Sequence, residues 1–142
     1  MIVVGLGKAG CNIAKAFSKF PQYETHSIDT TEDAEITIPE CKSHEEYDEK
    51  FPALSLNIQN EDVLAVIAGS GKISGGSLRL LEQLQNNRIT VLYVEGDLTI
   101  MSDTQKKQER IVSSVLQEYA RSGAIEQIIM VNNAYIERSI GD

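Results

Sequence analysis

The sequence has few cysteines, no basic cluster and no long apolar stretch. Its two cysteines, Cys11 and Cys41, are too few and too irregularly placed for a disulfide framework or a zinc site. No apolar run approaches the roughly 20 residues that span a bilayer, and the amino terminus lacks the basic residues that open a signal peptide. We therefore expect a cytoplasmic protein with no membrane partner and no protein-held metal site.

Positive charge is also scarce. The 142 residues include 13 lysines and arginines against 21 acidic residues, which gives a formal net charge of −8. Proteins that bind DNA or RNA usually present a basic stripe, so the charge argues against a nucleic acid partner. Residues 29–50 hold nine acidic and two basic residues, which accounts for most of the negative charge. We interpret this segment as a solvated acidic surface.

Short apolar runs alternate with helical patterns along the whole chain. A length of 142 residues favours one domain, and we assign residues 1–142 to it. The alternation predicts a three-layer α/β/α sandwich with a Rossmann-like, mostly parallel sheet. Strands are predicted at residues 2–5, 25–29, 35–38, 63–68, 89–94 and 128–131. Helices are predicted at residues 11–20, 45–51, 75–87 and 134–140, and between a capping box at Ser102 and Gln105 and a terminating Gly123.

A glycine-rich turn with the pattern G-x-G-x-x-G follows the first predicted strand. Gly5, Gly7 and Gly10 form the pattern and open a predicted helix. Glycine lets the backbone approach a phosphate closely, and a helix N-terminus supplies free N–H donors. We predict a nucleotide or dinucleotide phosphate site here, with a purely structural tight turn as the alternative.

A second glycine-rich loop, at residues 68–77, follows the buried strand 63–68. It is not a P-loop, because that motif would need glycine at Val66 and serine or threonine at Ile73. A nucleoside triphosphate held from two sides needs two such loops, whereas a dinucleotide fold ordinarily needs one. The alternative is a flexible loop that binds no ligand.

The order of these motifs resembles that of the tubulin/FtsZ family. Residues 7–12 (Gly-Lys-Ala-Gly-Cys-Asn) resemble its first phosphate loop, and residues 68–76 resemble a degraded form of its glycine-rich signature, G-G-G-T-G-[ST]-G. Residues 29–31 lie where FtsZ proteins carry Asn-Thr-Asp, and residues 131–133 lie where they carry Pro-Asn-Asp. The chain therefore resembles a divergent nucleotide-binding domain of a cytoskeletal filament protein, with a tubulin-like fold.

The resemblance implies a site for GTP or GDP, with Mg²⁺ accompanying the triphosphate. The first loop would face the α-phosphate and base, the second would cradle the β- and γ-phosphates, and later side chains would read the ribose and the guanine edge. The implied residues are, in that order, Gly7, Lys8, Gly10, Cys11 and Asn12; Gly71, Lys72, Ser74, Gly75 and Gly76; Glu95; and Asn132 or Asn133.

Three departures from the family pattern matter. Lys72 and Ile73 replace two signature glycines, although the Lys72 ammonium can act on phosphate as a point charge. The family's glycine-rich loop after the third strand has no counterpart in residues 39–60. The activation domain and the catalytic acidic loop would lie beyond residue 142. We therefore expect GTPase activity only where that loop is supplied, no catalytic residue in this chain, and filament formation by a longer product.

Two other interpretations stay open. Asp29 ends the second predicted strand, at the spacing from Gly10 where an acidic residue binds the adenosine ribose of NAD. A plain Rossmann module leaves the second loop, Asn132 and Asn133 unexplained, and no constellation for hydride transfer is visible. The third interpretation is a tubulin-like protein that has lost nucleotide binding. His26 is interpreted as a packing residue, and Cys11, near a helix N-terminus, is expected to have a lowered thiol pKa.

Overall fold

The computed structural model describes residues 1–69, 71–96 and 99–132. The predicted helix at residues 134–140 and the predicted site residue Asn133 lie outside these ranges, as does the side chain of Asn132.

Six parallel strands form one sheet in the described part of the chain, in the order β3-β2-β1-β4-β5-β6. Four α-helices and one 3₁₀ turn, at Lys72–Gly76, connect them. This α/β architecture with a parallel, Rossmann-like sheet confirms the predicted fold class. The strands are β1 (Ile2–Leu6), β2 (Glu24–Asp29), β3 (Ile36–Thr37), β4 (Asp62–Ala68), β5 (Arg88–Glu95) and β6 (Gln127–Asn132). The helices are α1 (Gly7–Phe17), α2 (His44–Lys50), α3 (Ser77–Gln83) and α4 (Asp103–Ser122).

Helices cover both faces of the sheet, which gives the three predicted layers. On one face, Ile13 and Ala14 of α1 pack against alternate residues of β1, β4 and β5. On the other face, α2, α3 and α4 contribute Tyr47, Leu80 and Leu116 to the larger core. The interior residues of β4 are buried without interruption, because neighbouring side chains point to opposite covered faces.

Local signals explain where the longest helix begins and ends. The Ser102 side chain accepts a hydrogen bond from the N–H of Gln105, whose side chain in turn accepts from the N–H of Ser102. This arrangement confirms the predicted capping box. At the other end Gly123 has φ +84°, the left-handed conformation that commonly terminates a helix. No helix among the described residues has the length and the apolar character needed to cross a membrane.

The predicted bounds of three elements were wrong. Helix α1 begins at Gly7 and ends at Phe17, because β1 runs straight into the helix through one turn at Gly7, where φ is +79°. The predicted helix at residues 75–87 is a 3₁₀ turn followed by a helix that ends at Gln83. Strand β3 has only two residues.

Candidate functional site

The carboxyl ends of the strands bring both glycine-rich loops to one edge of the sheet. Leu6 of β1 pairs with Ile67 of β4, so Gly7 and Ala68 continue from neighbouring strands. Strand β1 also pairs with β2, on which Asp29 is the last residue. Strands β1, β2 and β3 form one half of the sheet and β4, β5 and β6 form the other, so the strand order changes direction at the boundary between β1 and β4. In open parallel sheets this switch point is where ligands bind.

Two of the predicted residues on the far half of this edge are also neighbours. Glu95, at the end of β5, is paired with Asn132, at the end of β6. The preceding pair joins Val94 to Val131, and Val94 is paired with Ala68 on its other side. The structure therefore places residues predicted from five separate strands along a single edge.

In the first loop the glycines make α1 pack very closely on the sheet. A side chain at Gly5 would collide with the Gly10 carbonyl, and a Cβ at Gly10 would lie 2.8 Å from the Val66 carbonyl oxygen. Gly7 supplies the positive φ of the turn. These contacts place the N-terminus of α1 at the switch point, whether or not a ligand binds there.

An open cleft of about 1140 Å³ lies between α1 and the segment that follows β2. Four predicted site residues line it: Lys8, Cys11, Asn12 and Asp29. Lys8 and Asn12 are exposed, and Lys8 forms no ion pair with any described residue. The Asp29 carboxylate is oriented by the Thr30 N–H, which donates to Oδ1 at 2.8 Å. The first loop and the end of β2 thus form one polar cavity.

The expected lowering of the Cys11 thiol pKa is wrong. Burial, followed by the charge of Asp29, raises the pKa of the Cys11 thiol from its ordinary value to about 11. Its sulfur lies 3.4 Å from the Ile28 carbonyl oxygen, to which the thiol donates. A thiol that is protonated at neutral pH is a poor nucleophile, so Cys11 serves here as a small, partly buried side chain.

The glycines of the second loop meet neighbouring groups at three positions. A Cβ at Gly69 would overlap the Tyr93 hydroxyl, one at Gly75 would overlap the His44 carbonyl, and one at Gly76 would overlap the Phe51 ring. These glycines are buried, and packing alone accounts for the absence of a side chain at each.

The other residues of this loop have two roles. Ser74 stabilises the loop through hydrogen bonds, and Gly71 and Lys72 are less enclosed. The Ser74 hydroxyl is 2.6 Å from the Gly71 carbonyl oxygen and 3.1 Å from that of Gly69, and its single O–H can donate to either carbonyl. Gly71 has no atom within 4 Å of the position of a Cβ, and Lys72 is exposed. Phosphate binding by this loop stays a prediction, and of its predicted residues Lys72 is exposed and Gly71 is half-buried.

The two loops touch through Ile73. A Cβ at Gly7 would lie 2.7 Å from Cγ2 of Ile73, one of the residues that replace signature glycines. The isoleucine side chain therefore occupies part of the space between the loops. A ligand held by both loops has to pass beside it.

Two interactions near Glu95 were not predicted from the sequence. Glu109 of α4 is only 9% exposed, and its Oε1 accepts the Gly96 N–H at 3.0 Å, while Oε2 has no partner among the described residues. The Tyr93 hydroxyl donates to the Glu109 backbone carbonyl at 3.2 Å, and burial raises the Tyr93 pKa. These bonds anchor the end of β5 to α4. The signal in the sequence was the spacing of Glu109 from Val112 and Leu116 on the buried helix face.

His26 proved to be more polar in its contacts than the packing interpretation supposed. Its Nδ1 lies 3.1 Å from the Glu35 carboxylate and its Nε2 lies 3.2 Å from that of Glu24. The ring borders the cleft. Within the described residues, no group of three or more histidine, cysteine or acidic side chains could hold a metal ion.

Comparison with known proteins does not identify the site. No known protein family matches the chain, and no curated protein is significantly similar to it.

Proposed function

We propose that this chain is a guanine-nucleotide-binding domain of a divergent tubulin/FtsZ-like filament protein. The observation that carries the proposal is the arrangement of two glycine-rich loops on the adjacent strands β1 and β4, at the switch point of a parallel sheet. Phosphate bound there would meet free N–H groups at the start of α1 and the positive end of its dipole.

Each part of the edge has a role in this proposal. Lys8 neutralises phosphate charge from the α1 side, and Gly71 and Lys72 approach from the second loop. Glu95 accepts hydrogen bonds from the ribose, and Asn132 or Asn133 reads the guanine edge. Mg²⁺ would be held mainly by the phosphates and water, since the described residues offer no ready-made metal cage.

The proposal includes no hydrolytic carboxylate from this chain. In this proposal the predicted site residues bind the nucleotide, whereas hydrolysis and filament formation need the family's acidic loop, which none of those residues supplies. Head-to-tail stacking of such subunits propagates instead of closing into a ring.

Thermal unfolding with a panel of nucleotides tests the proposal. We expect GTP and GDP at millimolar concentration to raise the melting temperature, because a ligand that binds only the folded state stabilises it by RT ln(1 + [L]/Kd). ATP, in which only the base differs from GTP, is the matched control and is expected to give a smaller shift. The absence of any shift with GTP and GDP would contradict the proposal.

A second candidate, an NAD-binding Rossmann module, is favoured by one observation. Asp29 lines the same cleft as Lys8 and Asn12, which is the arrangement expected for a ribose bound beside the first loop. The variant Asp29→Asn separates the candidates. It is expected to abolish a thermal shift caused by NAD and to leave one caused by GDP nearly unchanged.

A further inference from the structure

A groove on the opposite face of the sheet lies apart from the cleft at α1. Its walls come from α2, the 3₁₀ turn, the start of α3 and the middle of α4, and its volume is about 300 Å³. Liquid water occupies about 30 Å³ per molecule, so the groove has room for about ten non-hydrogen atoms. This volume is at the lower end of the range for pockets that bind small molecules.

The floor of the groove is apolar. Val112 and Val115 of α4 and Leu78 of α3 line it, and Ile111 at its border is 54% exposed. An alkyl chain lying on these residues would remove apolar surface from water, which is favourable in proportion to the area covered.

The rim is negatively charged and lacks balancing positive charge. Glu45 and Glu49 lie one turn apart on α2, both are exposed, and neither forms an ion pair with any described residue. Asp48 also lines the groove, but it is paired with Arg79 at 3.1 Å. None of the described residues that line the groove is a lysine or an arginine. A cation is therefore the complementary charge.

His44 adds a hydrogen-bonding group at the same place. It is 7% exposed, and its Nε2 has no partner among the described residues. Burial lowers the His44 pKa, which favours the neutral ring, and a neutral ring can accept a hydrogen bond at one nitrogen. Nε2 itself is covered in this structure, so His44 borders the groove without presenting that nitrogen to it.

We propose that this groove binds a small organic cation, an alkylammonium whose chain lies on the α4 floor and whose N–H groups are held by Glu45 and Glu49. The groove shares Ser74 and Gly75 with the second glycine-rich loop. Its chemistry nevertheless needs no nucleotide, so the proposal stands independently of the function proposed above.

The test is an NMR titration of the nucleotide-free protein with n-hexylammonium at low salt. We expect saturable shifts of the Ile111, Val112 and Val115 methyl signals and of the His44 ring signals, with a Kd on the order of millimolar for so small a ligand. Two probes serve as matched controls. 1-Hexanol keeps the chain and methylammonium keeps the charge, and each is expected to bind at least tenfold more weakly.

Paired variants then locate the charge that matters. Glu45→Gln with Glu49→Gln is expected to weaken hexylammonium binding about tenfold. Glu32→Gln with Glu126→Gln removes the same charge outside the groove, from exposed positions, and is expected to change the Kd less than twofold. Circular dichroism checks that each variant is folded.

Three results would overturn the proposal. The first is equal affinity for hexanol and hexylammonium, which would make the groove merely apolar. The second is equal loss of affinity in the two double variants, which would make the attraction a general effect of net charge. The third is a set of shifts that do not saturate, which would mean adventitious binding only.

Discussion

The loop after β1 and the loop after β4 are both rich in glycine and leave neighbouring strands, yet their glycines meet different surroundings. In the first loop the close contacts join α1 to the sheet, backbone against backbone, and a polar cleft opens beside Lys8 and Asn12. In the second loop, the space that a side chain would take is occupied by the His44 carbonyl at Gly75 and by the Phe51 ring at Gly76. A glycine pattern therefore reports close approach, and the structure is needed to identify what approaches.

Gly5→Ala is expected to have the largest effect, because its Cβ would collide with the backbone of α1 and neither element can yield. We expect a loss of about 4 kcal/mol in the free energy of unfolding, at the severe end for single substitutions. Urea denaturation measures it. A loss below about 1 kcal/mol would show that α1 does not pack on β1 as closely as described.

A pair of alanine variants sharpens the comparison within the second loop. Gly75→Ala is expected to lose about 3 kcal/mol, because its Cβ would overlap the His44 carbonyl and displace α2. Gly71→Ala is the matched control, and it should stay within about 0.5 kcal/mol of the parent because its Cβ meets open space and its φ of −79° is unstrained. Equal losses would mean that the loop does not pack against α2.

The environment of Cys11 tests how closely the first loop packs against β2. With a pKa of about 11, roughly one Cys11 thiol in a thousand is ionised at pH 8. In a Cys41→Ser background we expect alkylation by iodoacetamide to be about 100-fold slower than for an ordinary free thiol, and to rise about tenfold per pH unit up to pH 10. Asp29→Asn removes a negative charge that raises this pKa, so it should speed the reaction. A rate that levels off near pH 9 would contradict the burial of Cys11.

Two lysine variants compare the loops as phosphate sites, with a smaller expected effect. Lys8→Ala and Lys72→Ala should each weaken GDP binding about tenfold, the loss of one charge-assisted contact, if both loops hold phosphate. Lys19→Ala, an exposed lysine beyond the end of α1, is the control and should leave the affinity unchanged. Isothermal titration measures all three. A loss with Lys8→Ala alone would indicate a site built on the first loop only.

Much of the fold could be predicted from the sequence because it depends on local patterns. The continuous apolar run of β4, the capping box at Ser102 and the terminal Gly123 each specify an element through nearby residues. The path of residues 51–61 could not be predicted in this way. Gln83 holds it by accepting the Leu54 N–H and donating to the Pro52 carbonyl, and Asn87 holds it by donating to the Ile58 carbonyl. These contacts cross about 30 positions of sequence, and no local pattern encodes them.

The candidate site divides in the same way. The first loop and Asp29 could be found because strand ends and glycine spacing are visible in the sequence. The burial of Glu109 had a local signal, its helical spacing from Val112 and Leu116, but the contact of Gly75 with α2 could not be found because it depends on where a distant helix lies. The thiol pKa of Cys11 was misjudged for a related reason. The sequence shows the nearby helix start, whereas the desolvation that dominates the pKa comes from the packed fold.

The most direct test of the central claim is an amide NMR titration of the domain with GDP. If one guanine nucleotide is held by both loops, signals of residues 7–12 and of residues 71–74 will shift together and saturate with the same Kd. Shifts confined to residues 7–12 and the neighbourhood of Asp29, or no saturable shift in either loop, would contradict a guanine nucleotide held between the two loops.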